Sequence, residues 1–194
     1  VVGEPVSYSG QQTFKTTLGS LTVRGELACL GDTLFVHTAS KLSNKHQFKL
    51  AVQSAFAGLT MPKVKKVVAW YWGDSKVGSH YALIEKDNEQ FLQVLAELYM
   101  QYRDGGLPFS PNDSLKYKPD FSEKSHHQKW EKIIDDAWHG SNYTDGITGD
   151  IQKRAYFMTK QRLSSEQFLD VAKKISAAFM RWSASEVKTT GAQP

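Results

Sequence analysis

The chain has 194 residues, with 24 Lys and Arg against 20 Asp and Glu, hence a net charge of +4 and a pI near 9.0. An apolar fraction of 40% with 12% aromatics belongs to a chain that packs a core, which excludes a disordered polymer. No apolar run approaches the roughly 18 residues of a membrane span, and a single cysteine, Cys29, excludes an internal disulfide and fits a reducing, cytoplasmic setting.

This length suggests one domain over residues 1–182, with a tail at 183–194 expected to be disordered. The chain opens without an initiator Met, in the polar run Val1–Gln12 (VVGEPVSYSGQQ), as a fragment of a longer polypeptide would. Thr13–Thr17 is a candidate short strand. Ser20–Leu30 (SLTVRGELACL) alternates, with Val23, Gly25, Leu27 and Cys29 on one face and Arg24, Glu26 and Ala28 on the other, the period of a strand. Gly31-Asp32 supplies a turn, and Thr33–Thr38 (TLFVHT) is a second strand. After a polar loop, Ser43 or Asn44 can cap a helix over Lys45–Leu59, striped by Phe48, Val52, Ala55, Phe56 and Leu59. Pro62 prevents its continuation. Val64–Trp72 (VKKVVAWYW) is apolar nearly throughout from Val67 on and predicts a central strand covered on both faces. Gly73–Ser79 is a loop, and His80–Ile84 a further strand.

The rest is helical. Asn88–Tyr102 carries Phe91, Leu92, Leu95, Leu98 and Tyr99 on one face and ends at Asp104-Gly105-Gly106. Leu107–Pro111 (LPFSP) is a stiff extended connector, because each proline disfavours helix in the residue before it. Glu123–Ala137 is another helix, with Trp130, Ile133, Ile134 and Ala137 inward. Trp138–Asp150 is a turn-rich loop, and Ser164–Trp182 the last helix, striped by Phe168, Leu169, Ala172, Ile175 and Phe179. Strands, helix, strands and then helices make an α/β fold with a mixed sheet and most helices C-terminal.

Two stretches resemble known families. Gly25–Phe56 (GELACLGDTLFVHTASKLSNKHQFKLAVQSAF) is similar to the hairpin and helix of PD-(D/E)XK nuclease domains of the RecB type. In those, the first strand reads Gly-x-x-Asp, the second ends Asp-x-Lys, and a Gly-Lys-Leu-like loop leads into a helix. Leu92–Pro111, with LAELYMQYRDGGLPFSP, resembles the RecC family, the gamma chains of exodeoxyribonuclease V, as do the SKL-x-x-KH loop and the later KWEKIIDDAWHGS. The likeness touches most of residues 20–182, and the LPFSP connector is its sharpest piece. It implies a restriction-endonuclease-like core forming the C-terminal domain of such a chain, within a helicase–nuclease that processes double-strand breaks for recombination. Implied partners are RecB-like and RecD-like subunits and double- and single-stranded DNA, with ATP and Mg²⁺ used by other subunits and no cofactor in this domain.

Carried over residue by residue, the nuclease motif is degenerate. Gly25 matches the motif glycine, which puts the first acid at Ala28; anchoring on Lys41-Leu42 puts the second acid at Val36 and the lysine at Thr38. A three-residue loop, Gly31–Thr33, would place Ala28 opposite Val36, whereas a two-residue turn breaks that match. Glu26 is the one candidate for a displaced acid, against the plainer role of a solvated strand residue. The expectation is a domain without nuclease activity; the alternatives are a divergent active nuclease with migrated acids and a stand-alone DNA- or protein-binding domain.

Other features carry less. His126, His127 and His139 match no zinc spacing and are expected on the surface, and Cys29 reads as a small buried strand residue. No nucleotide-binding fingerprint occurs. Lys41, Lys45, His46 and Lys49 at the first helix, and Lys63, Lys65 and Lys66 before the central strand, are candidates for phosphate contact or simply a solvated surface. Trp70 and Trp72, with Leu107 and Phe109 of the connector, are candidates for a partner-facing apolar patch, or for core packing.

Overall fold

Alternation at period two begins earlier than the polar composition of the first residues suggests, and it builds a long ribbon. The structure is a computed structural model that describes residues 4–38, 43–72, 77–83, 87–103 and 165–184, with short pieces at 114–115, 128, 131–132, 140–141 and 144–145. Strand β1 runs Pro5–Thr16 and β2 runs Gly19–Leu30, each 12 residues long, and they pair antiparallel from Thr16↔Gly19 to Pro5↔Leu30. Polar Ser7, Ser9, Gln11 and Thr13 fall on the solvent face of β1, while Phe14 is buried on the other. The first strand therefore takes in most of the segment expected to be a polar lead-in.

The sheet continues through β3 (Thr33–Thr38), β4 (Lys66–Trp72) and β5 (Val77–Leu83). Its order is β1-β2-β3-β4-β5, with β3 and β4 parallel and the other neighbours antiparallel. A parallel neighbour needs a crossover, and helix α1 (Asn44–Thr60) supplies it between β3 and β4. The fold is thus α/β on a mixed sheet. Consecutive Val67, Val68 and Ala69 are all buried, so β4 is covered on both faces, as its apolar run predicts.

Helix α1 follows the N-cap Ser43 and runs 17 residues. Its buried residues, Phe48, Leu50, Ala51 and Ser54–Ala57, wrap more than one face, so the helix is sheathed rather than merely striped. Its C-terminal end sits on the β1–β2 ribbon at a pair of glycines facing each other across the strands, Gly10↔Gly25. A Cβ on Gly10 would lie 2.6 Å from Thr60 Cβ, and one on Gly25 would lie 2.9 Å from Phe56 Cε1, closer than real Cβ contacts allow. The absence of both side chains lets Phe56, itself buried, approach the backbone; burying such a ring is worth about 1.5–3 kcal/mol.

Helix α2 runs Asn88–Tyr102 and α3 runs Ser165–Ala184, two residues into the segment expected as tail. On α2, Phe91, Leu92 and Leu98 are buried as predicted, together with Ala96 and Met100, whereas Tyr99 is 53% exposed. Tyr99 tolerates this because its hydroxyl end suits water. On α3, Ala172 and Ile175 are buried. Phe91 meets Phe48 edge-on at 6.1 Å and stacks on Trp182 at 5.8 Å, contacts each worth about 0.5–1.5 kcal/mol beyond burial. Trp182 Nε1 donates to Asn88 Oδ1 at 2.9 Å. The tip of the β1–β2 ribbon is tied to α2: Gln93 Nε2 donates to the Lys15 carbonyl at 2.6 Å, and the Thr17 N–H and hydroxyl both donate to the Glu97 carboxylate.

Contacts cluster into two units, Val1–Glu97 with Ala177–Pro194, and Leu98–Ser176. The second contains a two-stranded piece, β6 (Gly140–Ser141) with β7 (Thr144–Asp145), inside the stretch expected to be a turn-rich loop. Residues 104–113, with the connector, and most of the helix expected at 123–137 lie outside the described residues.

Gly10→Ala is expected to lower unfolding free energy by about 1–3 kcal/mol through overpacking against Thr60, measured by urea denaturation. Unchanged stability would mean that α1 is not seated on the ribbon at this point.

Candidate nucleic-acid interface

The nuclease-motif positions sit where β2 passes into β3. The turn between them has two residues, since Leu30 pairs with Thr33 and Cys29 with Leu34. Gly31 takes a φ of 59° at the first central position, as primed hairpin turns require. The three-residue loop needed to set Ala28 against Val36 does not form. Cys29 and Leu34 share a face, so Val36 shares it too, and Ala28 points to the other. Accordingly Ala28 is exposed and Val36 half-buried. Thr38 ends β3 opposite Tyr71 of β4. These positions therefore do not converge on one point, and none carries a carboxylate. A Mg²⁺ site of the PD-(D/E)XK kind does not fit these residues, because Mg²⁺ needs carboxylate oxygen ligands.

The β2–β3 ladder covers only those two pairs, whereas β1 and β2 stay paired down to the tip. From Ala28 backward, β2 leaves β3, and the β1–β2 hairpin continues as a separate two-stranded ribbon. Beside the parting lies an open groove of about 590 Å³ lined by Ser9, Gly10, Gln11, Arg24, Gly25 and Glu26. Glu26 is exposed there, opposite Ser9, and Arg24 is opposite Gln11. These neighbours give Glu26 a cation and neutral groups but no second acid. Sequence reasoning missed Ser9 and Gln11 because the alternation of residues 5–16 is written in Ser, Gln and Thr rather than in apolar residues. Among the described residues no group of three or more His, Cys, Asp or Glu gathers as metal ligands would.

The basic candidates are better marked. From Thr33 to Gly73, which spans β3, α1 and β4, there are six Lys and no Asp or Glu. The remainder of the chain then holds 18 basic against 20 acidic residues, a net of −2, so the positive charge of the protein resides in this crossover. Lys45 and Lys49 project from the first turns of α1, and Lys63, Lys65 and Lys66 from the connection into β4; all five are exposed. Among the described residues none of the five makes an ion pair. Ser43 occupies the N-cap position of α1 without a side-chain cap; its hydroxyl meets His46 Nδ1 at 3.1 Å instead.

The connection carrying Lys63, Lys65 and Lys66 is held firmly. Val64 is buried, its N–H donates to the Met61 carbonyl at 2.9 Å, and the Lys65 and Lys66 N–H groups both donate to the Asp32 carbonyl, at 2.8 and 3.3 Å. The fold does not merge the two lysine groups. One lies at the start of α1 and the other beyond its end, separated by roughly 20 Å of helix at 1.5 Å per residue. A count of acids along the chain would have revealed the segregation; the separation needs the crossover.

The backbones of Trp70 and Trp72 lie in β4, between β3 and β5. Lys41, Leu107, Phe109, His126, His127 and His139 lie outside the described residues. No helix among the described residues is long and apolar enough to cross a membrane. No protein-family model matches the chain, and no curated protein matches it.

Cys29 is 1% exposed on the covered face of β2, and burial pushes its thiol up from the ordinary value of 9.0. A raised pKa means that the folded chain holds the proton more tightly. Its contribution to stability is thus complete below the unfolded value and is lost as pH rises through the folded one. At about pH 8, just below the ordinary thiol range, a thiol-reactive dye should modify the folded chain far more slowly than the urea-unfolded chain. Equal rates would place Cys29 at the surface.

Proposed function

We propose that the chain is a non-cutting, nuclease-like module of an exodeoxyribonuclease V gamma chain of the RecC kind. It acts as scaffold and DNA guide within a RecBCD helicase–nuclease that repairs double-strand breaks by homologous recombination. What carries the reading is the combination of architecture and chemistry at the hairpin. β2, β3 and α1 follow one another in a mixed sheet, in the order of a PD-(D/E)XK core. In the sequence match, Ala28, Val36 and Thr38 take the positions of that core's two carboxylates and lysine, and the two-residue turn keeps Ala28 and Val36 on opposite faces.

The missing groups are those that do the work. In a PD-(D/E)XK site, carboxylates hold Mg²⁺, the metal polarises the scissile phosphate and activates water, and the lysine stabilises developing negative charge. Alanine, valine and threonine supply neither metal ligands nor a cation. Glu26 by itself has no second carboxylate beside it in the groove, which speaks against a divergent active nuclease. A scaffold needs only the packed sheet and its surfaces, and the acid-free crossover suits contact with phosphate. RecB-like and RecD-like subunits are the protein partners, and ATP and Mg²⁺ chemistry belongs to other subunits.

Purified chain incubated with single- or double-stranded DNA and Mg²⁺ is expected to leave the DNA intact. Metal-dependent cleavage abolished by Glu26→Ala would replace this reading with an active nuclease. The chain is also expected to co-purify with RecB-like and RecD-like subunits; retention by neither would leave a stand-alone binding domain.

A further inference from the structure

We infer that the acid-free crossover β3–α1–β4 is a phosphate-contacting surface that takes one extended nucleic-acid strand across both of its lysine groups, Lys45 with Lys49 and Lys63 with Lys65 and Lys66. The inference rests on the reading of the chain as a DNA-guiding module and assigns that role to a place on the fold. Its first ground is charge complementarity: 41 consecutive residues, Thr33–Gly73, contain six Lys and no acid, in a chain whose remainder is net negative. Such segregation is a physical argument about polyanionic partners.

The second ground is geometry. Between Lys49 and Pro62 every residue is buried or half-buried, and none is a lysine. The lysines therefore emerge only at the two ends. A single phosphate or a short acidic peptide can meet one group. Meeting both requires a polyanion that reaches roughly 20 Å, about six phosphates at the 3.4 Å spacing of one strand. The third ground is rigidity. Lys63 and Lys65 flank the buried Val64, and the Lys65 and Lys66 N–H groups are pinned on the Asp32 carbonyl, so little backbone freedom is lost when they engage. Contacts of this kind position a strand without reading its bases.

The test is fluorescence anisotropy with the 194-residue chain and a labelled oligonucleotide of about 20 residues, several times the span between the groups at about 3.4 Å per phosphate. Single-stranded and duplex forms are separate arms, and polyglutamate serves as competitor. With single strands, the salt slope of log K should fall by about 2 in K63Q/K65Q/K66Q and by about 1.4 in K45Q/K49Q, given roughly 0.7 per phosphate contact. K15Q/K132Q/K173Q removes the same charge from exposed sites elsewhere and should leave the slope unchanged. Bound oligonucleotide should also protect Lys45, Lys49, Lys63, Lys65 and Lys66 of the unsubstituted chain from acetylation, a readout independent of any variant. An equal drop in the control variant, or no protection, overturns the surface while leaving a DNA-guiding chain. Displacement by polyglutamate at matched charge makes the surface a site for acidic protein instead. No binding to either oligonucleotide at low salt removes both the surface and the DNA-guiding reading.

Discussion

The seating of α1 on paired glycines is the constraint from which the rest of this structure follows. Gly10 and Gly25 face each other across β1 and β2, and their missing side chains leave room for Thr60 and Phe56. A helix that crosses between parallel β3 and β4 could lie at several heights above a sheet. Here its C-terminal end is lowered onto the ribbon, and Pro62 turns the chain out at that point toward β4. The position of Lys63, Lys65 and Lys66 is set by that exit, and the position of Lys45 and Lys49 by the length of helix that precedes it. Gly25, the residue that the motif match rests on, thus has a packing reason to be glycine.

The second consequence concerns the hairpin. A two-residue turn at Gly31-Asp32 joins β2 to β3. Side chains alternate with period two, so a slip of one residue sends every following side chain to the other face. That slip separates Ala28 from Val36. The two-pair ladder then lets the β1–β2 ribbon leave the sheet, held instead by α1 beneath it and by Gln93 and Glu97 at its tip. Beside the parting lies the open groove lined by Ser9, Gln11, Arg24 and Glu26.

Charge tells a parallel story. A net of +4 spread evenly over 194 residues would mean little. Confined to one crossover, with the rest of the chain net negative, it concentrates the positive charge on one segment of the fold. Surface lysines outside ion pairs keep their attraction for an external polyanion, Lys65 and Lys66 beside the exposed Asp32 included, whereas those in local ion pairs, such as Lys174 with Asp170 at 2.7 Å, have it partly satisfied within the chain.

Periodicity in the sequence sufficed for the elements whose faces are chemically distinct: β2, β3, α1, β4, α2 and α3 stand close to where hydrophobic spacing puts them, because burial rewards that spacing directly. The sequence shows also that Ala28, Val36 and Thr38 carry neither carboxylate nor amine in any conformation. It revealed only the last part of β1, at Thr13–Thr17, because the earlier alternation of Ser, Gln and Thr with Tyr8, Gly10 and Phe14 has little contrast until pairing with β2 supplies a face to bury. Nor could it choose between a two- and a three-residue turn, a choice of one residue governed by the strand ladder. The glycine seat and the parting of β2 from β3 came only with tertiary structure. Each depends on which residues distant in sequence come to share space, and that is decided by packing rather than by local preference.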